Sequence, residues 1–140
     1  MTSQLNVDTI VDKAGSGGTN VKMANTSTYV SDGGNVTQNT VQGLAKAWAH
    51  TNGSSGTPSL EDSFNMSSIT DMATGRYQHF FTNAMVNDNY AVPTSVNSSY
   101  LSIVEGYATA SFQFRISSSM PSMTAADRDN AVSAAFGDLV

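Results

Sequence analysis

The 140-residue chain draws a third of its length from 20 Ser, 15 Thr and 12 Asn, while charged residues make up only 12%. Its six Lys and Arg are scattered against eleven Asp and Glu, for a net charge of −5, which excludes the basic stripe that a nucleic-acid binder uses to displace counterions. Cysteine is absent, which excludes disulfides, thiolate catalysis and Cys-based zinc sites, and no apolar run approaches the ~20 residues of a membrane span.

This composition favours short strands and turns. Ser, Thr and Asn side chains compete for backbone hydrogen bonds and so disfavour long helices. The opening MTSQLNVDT has no basic stretch followed by an apolar core, so no secretory signal is expected. Triplets such as Asn25-Thr26-Ser27 and Asn52-Gly53-Ser54 then read as chance, not as glycosylation sites.

In chain order, LNVDTIVD places Leu5, Val7, Thr9 and Val11 on one face and predicts a strand. KAGSGGTN is a Gly-rich link, and its GSGG lacks the Lys-Ser/Thr ending of a phosphate loop. VKMANTSTYV is a second weak strand region, followed by the turn-rich SDGGNVTQNT. Residues 1–42 hold too little apolar material for a core. They are expected to form an extended arm for attachment and oligomerisation, ordered against the rest of the chain, by copies of itself or by a partner.

From residue 43 the alternation sharpens. AKAWAH sets Lys46, Trp48 and His50 against Ala45, Ala47 and Ala49. SLEDSFNM sets Leu60, Asp62, Phe64 and Met66 against Glu61, Ser63 and Asn65. A turn at Asp71 to Gly75 leads to a strand with Tyr77, His79 and Phe81 on one face. Another turn at Asn87 to Asn89 precedes Tyr90, Val92, Thr94 and Val96, and Pro93 makes that strand an edge or a bulge. SYLSIVEGYATA mixes both faces, whereas SFQFRIS puts Phe112, Phe114 and Ile116 inward. MPSMTAADRDN reads as a loop with at most one helical turn, capped by Thr124. AVSAAFGDL closes with Val132, Ala134 and Phe136 on one face. About seven strands with frequent turns predict an all-β, antiparallel sandwich over residues 43–140, jelly-roll-like or another Greek key.

No chemistry-bearing pattern emerges. A metal at His50 or His79 needs a third ligand, such as Glu61 or Asp62, and the sequence fixes no such geometry. Glu61 and Asp62 are neighbours, so strand alternation points them to opposite faces and denies them an acid/base partnership. A glycosidase pair assembled from Asp71, Asp88 and Glu105 is the remaining catalytic option, and it is disfavoured in so short a chain. No Gly-X-Ser-X-Gly elbow occurs, and Asp127, Asp129 and Asp138 do not fit an EF-hand loop. No enzyme activity, cofactor or metal is therefore expected. Trp48, the sole Trp, is expected as a core or subunit-interface anchor in preference to a stacking platform for a sugar, because the small Ala face opposite it permits close packing.

The blocks Ala45-Lys46-Ala47-Trp48, Asp62-Ser63-Phe64-Asn65, Ser68-Ile69-Thr70-Asp71, Thr74-Gly75-Arg76-Tyr77, Phe81-Thr82-Asn83-Ala84-Met85, Asn89-Tyr90-Ala91-Val92 and Phe136-Gly137-Asp138 follow one another in order. Together they resemble a domain of marine and cyanobacterial phage virion proteins, described as tail-fibre-like structural proteins. The resemblance covers residues 43–140, and LNVDTIVDKAG resembles the opening of such proteins. It implies a virion component without catalytic residues, with a C-terminal β-domain and an N-terminal attachment region to which Leu5, Val7, Ile10 and Val11 belong. It also implies a homotrimer in contact with other virion proteins. Trp48, Phe112, Phe114 and Phe136 are the expected core or interface anchors. The absence of a long repetitive shaft is a departure that favours a short fibre, an adaptor or a decoration. The expected role is a short trimeric tail fibre or fibre-associated protein. A capsid decoration or head-fibre protein, and a carbohydrate-binding module for a host-surface glycan, are the alternatives. No nucleic-acid partner and no membrane insertion are expected.

Overall fold

The structure, a computed structural model, describes residues 27–30, 37–41, 43–54, 56–97, 99–118 and 123–139. Its contacts divide the chain into two units, Met1–Val41 and Gln42–Val140. In the first unit, β1 (Thr28–Val30) pairs antiparallel with β2 (Thr37–Asn39), with Tyr29 opposite Gln38. The Thr40 amide donates to the Ser27 carbonyl at 2.9 Å and closes the ladder. The strand expected over residues 5–12, and with it Leu5, Val7, Ile10 and Val11, lies outside the described residues.

The second unit is all-β, with no helix among the described residues. Its strands are β3 (Ala47–Asn52), β4 (Ser59–Phe64), β5 (Met66–Ala73), β6 (Arg76–Phe81), β7 (Thr94–Val96), β8 (Tyr100–Ala108), β9 (Ser111–Ser118) and β10 (Ala131–Ala135). They form two antiparallel sheets, ordered β4-β3-β10-β7 and β5-β6-β9-β8. The two sheets pack face to face as a sandwich, the architecture expected for residues 43–140.

Unequal side-chain size explains how the sheets fit. One sheet turns Tyr77, His79 and Phe81 of β6 and Phe112, Phe114 and Ile116 of β9 inward, all buried. The facing sheet answers with Ala47, Ala49 and Thr51 of β3 and Ala131, Ser133 and Ala135 of β10. Large side chains on one side and small ones on the other fill a gap of about 10 Å without overpacking. Rings at contact distance link the large side, with Phe81 against Phe112 at 5.7 Å and Tyr77 against Phe114 at 5.5 Å.

Two of the four expected core or interface anchors, Trp48 and Phe136, therefore lie outside the core. The alanines of β3 are its core face, so Trp48 points outward and is not a core residue. On β10 the inward parity is Ala131, Ser133 and Ala135, so Val132 is exposed and Phe136 only half-buried. Phe136 is held by backbone bonds in both directions with Ala91, each 2.9 Å, rather than by burial of its ring in the core.

The turn expected over Asp71 to Gly75 is tighter than that, because β5 runs on to Ala73. Gly75 closes the β5–β6 hairpin with φ +65°, a conformation glycine adopts at no steric cost. β7 begins just after Pro93 and is the outermost strand of its sheet, as a residue without an amide proton requires. The strand itself is shorter than expected, and the preceding Tyr90 and Val92 are buried outside it. Asn65 crosses from one sheet to the other with φ 56°, which Asn tolerates better than most residues. Its side chain fixes the corner, donating to the carbonyls of Lys46 (3.0 Å) and Asn83 (3.1 Å) and accepting the Asn83 amide at 2.7 Å.

Candidate functional site

The outer face of the β4-β3-β10-β7 sheet carries the most distinctive exposed surface. Register places Phe64, Trp48 and Ala134 side by side across β4, β3 and β10. Trp48 is 38% exposed, Phe64 53% and the neighbouring Val132 46%, so an apolar row lies open on this face. Beyond Ala134 it runs into a shallow depression of about 280 Å³ lined by Pro93, Thr94, Ser95, Val132, Ser133 and Ala134. Adjacent aromatic and apolar side chains of this kind suit a partner surface or the face of a sugar ring.

A polar rim borders the row. His50, opposite Val132, lies 3.0 Å through Nε2 from Asn130 Oδ1 and 3.4 Å through Nδ1 from Glu61 Oε2. Asn52 donates to the other Glu61 oxygen at 3.1 Å. The expected opposition of Glu61 and Asp62 does not hold. The register shifts between His50 and Thr51, and this irregularity brings Glu61 to His50 while Asp62 stays directly across from the same residue. Among the described residues, no group of three or more His, Asp and Glu could hold a metal ion. His79 lies far from His50 in character, enclosed in the core with no exposed surface.

Further groupings were not anticipated from sequence. Asp127 Oδ1 accepts from the Gly75 amide at 2.6 Å and from the Tyr77 hydroxyl at 2.7 Å, so the segment before β10 is tied to the start of β6. Burial, then the Asp127 contact, raises the Tyr77 hydroxyl pKa well above its usual value. Arg128 sits 3.9 Å over the Tyr100 ring and reaches its hydroxyl. On the outer face of the other sheet, Arg76 and Arg115 stand opposite each other and share one carboxylate, Glu105, at 2.7 and 3.3 Å. Nearby, Gln78, Gln113, Gly106 and Tyr107 line a small cavity of about 90 Å³. Lys46, nearly buried, donates to the Leu44 carbonyl at 2.9 Å; desolvation lowers its pKa, partly offset by Asp138.

The expected anchors therefore separate. Phe112 and Phe114 lie in the core, Trp48 on the outer face, and Phe136 between the two. Comparison with protein families, with characterised proteins and with solved structures gives no match.

Proposed function

We propose that this chain is a phage virion structural protein, a short trimeric fibre or fibre-associated protein on the tail. Residues 1–42 act as the attachment arm, and the sandwich of residues 43–140 is the displayed domain. The reading draws on the ordered blocks from Ala45 to Asp138 and on the all-β sandwich. The observation that carries it furthest is the open row Phe64–Trp48–Ala134, an apolar surface that suits contact with another protomer or virion protein. Three copies in C3 symmetry can bury what one arm cannot. The strand connectivity is read as a Greek key, since β10 returns to lie beside β3. It is not read as a jelly roll, because the hairpins β3–β4, β5–β6 and β8–β9 each stay within one sheet.

Copy number in purified particles tests this role, measured by quantitative mass spectrometry against the major capsid protein. About six to forty copies support the tail. Hundreds of copies move the protein to the capsid as a decoration or head-fibre protein, and absence from particles overturns the virion reading. A second reading, a carbohydrate-binding module, is favoured by Trp48 lying outward beside His50, Glu61 and Asn130, which offer polar groups to sugar hydroxyls. A glycan array separates it from the first.

A further inference from the structure

His79 has no exposed surface and sits between the two sheets. Its ring stacks on Phe112 (5.0 Å, 9°) and Phe114 (5.0 Å, 27°) of β9. Its Nε2 lies 2.8 Å from Thr51 Oγ1 on β3, so one hydrogen bond crosses the gap from sheet to sheet. Its Nδ1 is equally enclosed and has no hydrogen-bond partner among the described residues.

This geometry suits only a neutral ring. With the proton on Nε2, the ring donates to Thr51, and Nδ1 keeps a bare lone pair. A second proton has to go to Nδ1. It would create a buried N–H without an acceptor, on a charge without a counter-charge. The surroundings supply neither. Ile69 of β5 pairs with His79, β9 contributes the two Phe, and the inward residues of β3 and β10 are Ala, Ser and Thr. The titratable side chains along the same face are Tyr77, on the strand of His79 and bound to Asp127, and Tyr90, which touches Phe81. Burial raises both tyrosine pKa values, so both stay neutral.

We propose that His79 is an acid-sensitive catch, and that protonation of its free nitrogen opens the sandwich along the Thr51–His79 contact so that water reaches the ring. Desolvation lowers the His79 pKa from 6.5 to about 4, in keeping with this geometry. The sign is set by the neutral form being favoured in the folded chain. The stabilisation is complete above the unfolded value of 6.5 and is lost as pH falls from there toward about 4. The unfolding equilibrium constant is expected to rise about 30-fold from about pH 8 to about pH 5 on account of this group.

Urea unfolding of the wild type and of His79→Phe at these two pH values tests the catch. The wild type should show the rise and the variant, whose ring can stack without titrating, should be nearly flat. A variant with the wild-type pH dependence overturns the proposal. Should His79→Phe not fold, an NMR titration of the wild-type His79 ring decides. The proposal requires that its folded resonance not titrate near 6.5, and that native signals fade together on further acidification. A ring that titrates near 6.5 with the native spectrum intact overturns it.

Discussion

The Tyr77 hydroxyl donates to Asp127 Oδ1 at 2.7 Å, and through that bond the segment leading into β10 closes over one end of the sandwich. The same oxygen takes the Gly75 amide, and the Gly53 amide donates to the neighbouring Arg128 carbonyl at 2.9 Å. Three separate stretches of chain thus meet at one carboxylate-bearing segment. The two partners are not equivalent. Tyr77 is 1% exposed, whereas Asp127 is exposed apart from this contact. Asp127→Ala leaves the buried Tyr77 hydroxyl only the long 3.4 Å contact to the Gly53 carbonyl, strands the Gly75 amide, and should cost about 2 kcal/mol. Tyr77→Phe leaves a carboxylate that water can solvate and should cost about 1 kcal/mol. Urea unfolding of both variants and of the double variant checks the order, and the double variant should cost less than the two single costs combined. Equal single costs would remove the asymmetry.

Glycine at position 75 should be irreplaceable, for two independent reasons. Its φ is +65°, and an added Cβ would lie 2.6 Å from the Ile116 carbonyl and 2.7 Å from the Ala126 amide. Both are backbone atoms and cannot swing aside. Gly56 has φ +78° with nothing near its added Cβ, so it isolates the conformational cost alone. Gly56→Ala should lower stability by about 1 kcal/mol, and Gly75→Ala by about 3 kcal/mol, read from thermal unfolding. Similar losses in the two variants would mean that the loop carrying Ala126 yields to the new methyl group.

Much of this sandwich was legible because alternation is a local property. SFQFRIS announces β9, and its Phe112, Phe114 and Ile116 are all buried. The alternation likewise groups Tyr77, His79 and Phe81 on one face of β6, and all three are buried. Which face of a strand turns inward is not local. AKAWAH alternates perfectly, but the choice between its Trp face and its Ala face is made by the opposing sheet, whose aromatics leave room only for small side chains. For the same reason the shared face of Val132, Ala134 and Phe136 was legible but its outward direction was not, and Phe136 is only half-buried. Glu61 escaped because a register shift breaks the two-residue period at one point. The Asp127 tie joins residues fifty positions apart in sequence, and no spacing rule reaches that far.

Trp48 should behave as a surface residue in the isolated chain and as a buried one in its assembly. As the sole Trp it reports on itself. Its fluorescence should be quenched readily by iodide in the isolated protein and, on the proposed role in a trimer or on a particle, be protected there with a blue shift. Trp48→Ala removes the cross-strand contact with Phe64 and part of the half-covered ring, at about 1–2 kcal/mol. Phe114→Ala, which empties a core site, should cost about 3–5 kcal/mol. The test is the dissociation between stability and assembly. Trp48→Ala should fold and fail to associate, measured by sedimentation. A variant that still associates as the wild type does would shift the interface elsewhere.

Glu105 bridges Arg76 and Arg115, which register places directly opposite each other on β6 and β9. Like charges facing across an antiparallel pair repel, and one carboxylate turns that repulsion into a shared ion pair. Removing its charge should therefore reverse the response to salt rather than only weaken the fold. In the wild type, added salt screens an attraction and lowers stability slightly. In Glu105→Gln, the two guanidinium groups are left to repel, and salt screens that repulsion instead. The side chains are partly solvated, so the loss at low ionic strength should be about 1 kcal/mol. Urea midpoints at about 0.02 M and about 0.5 M NaCl, for both proteins, give the answer. Midpoints that fall with salt in both would mean that the arginines swing apart into water once Glu105 is neutral, and that the face holds no standing positive charge.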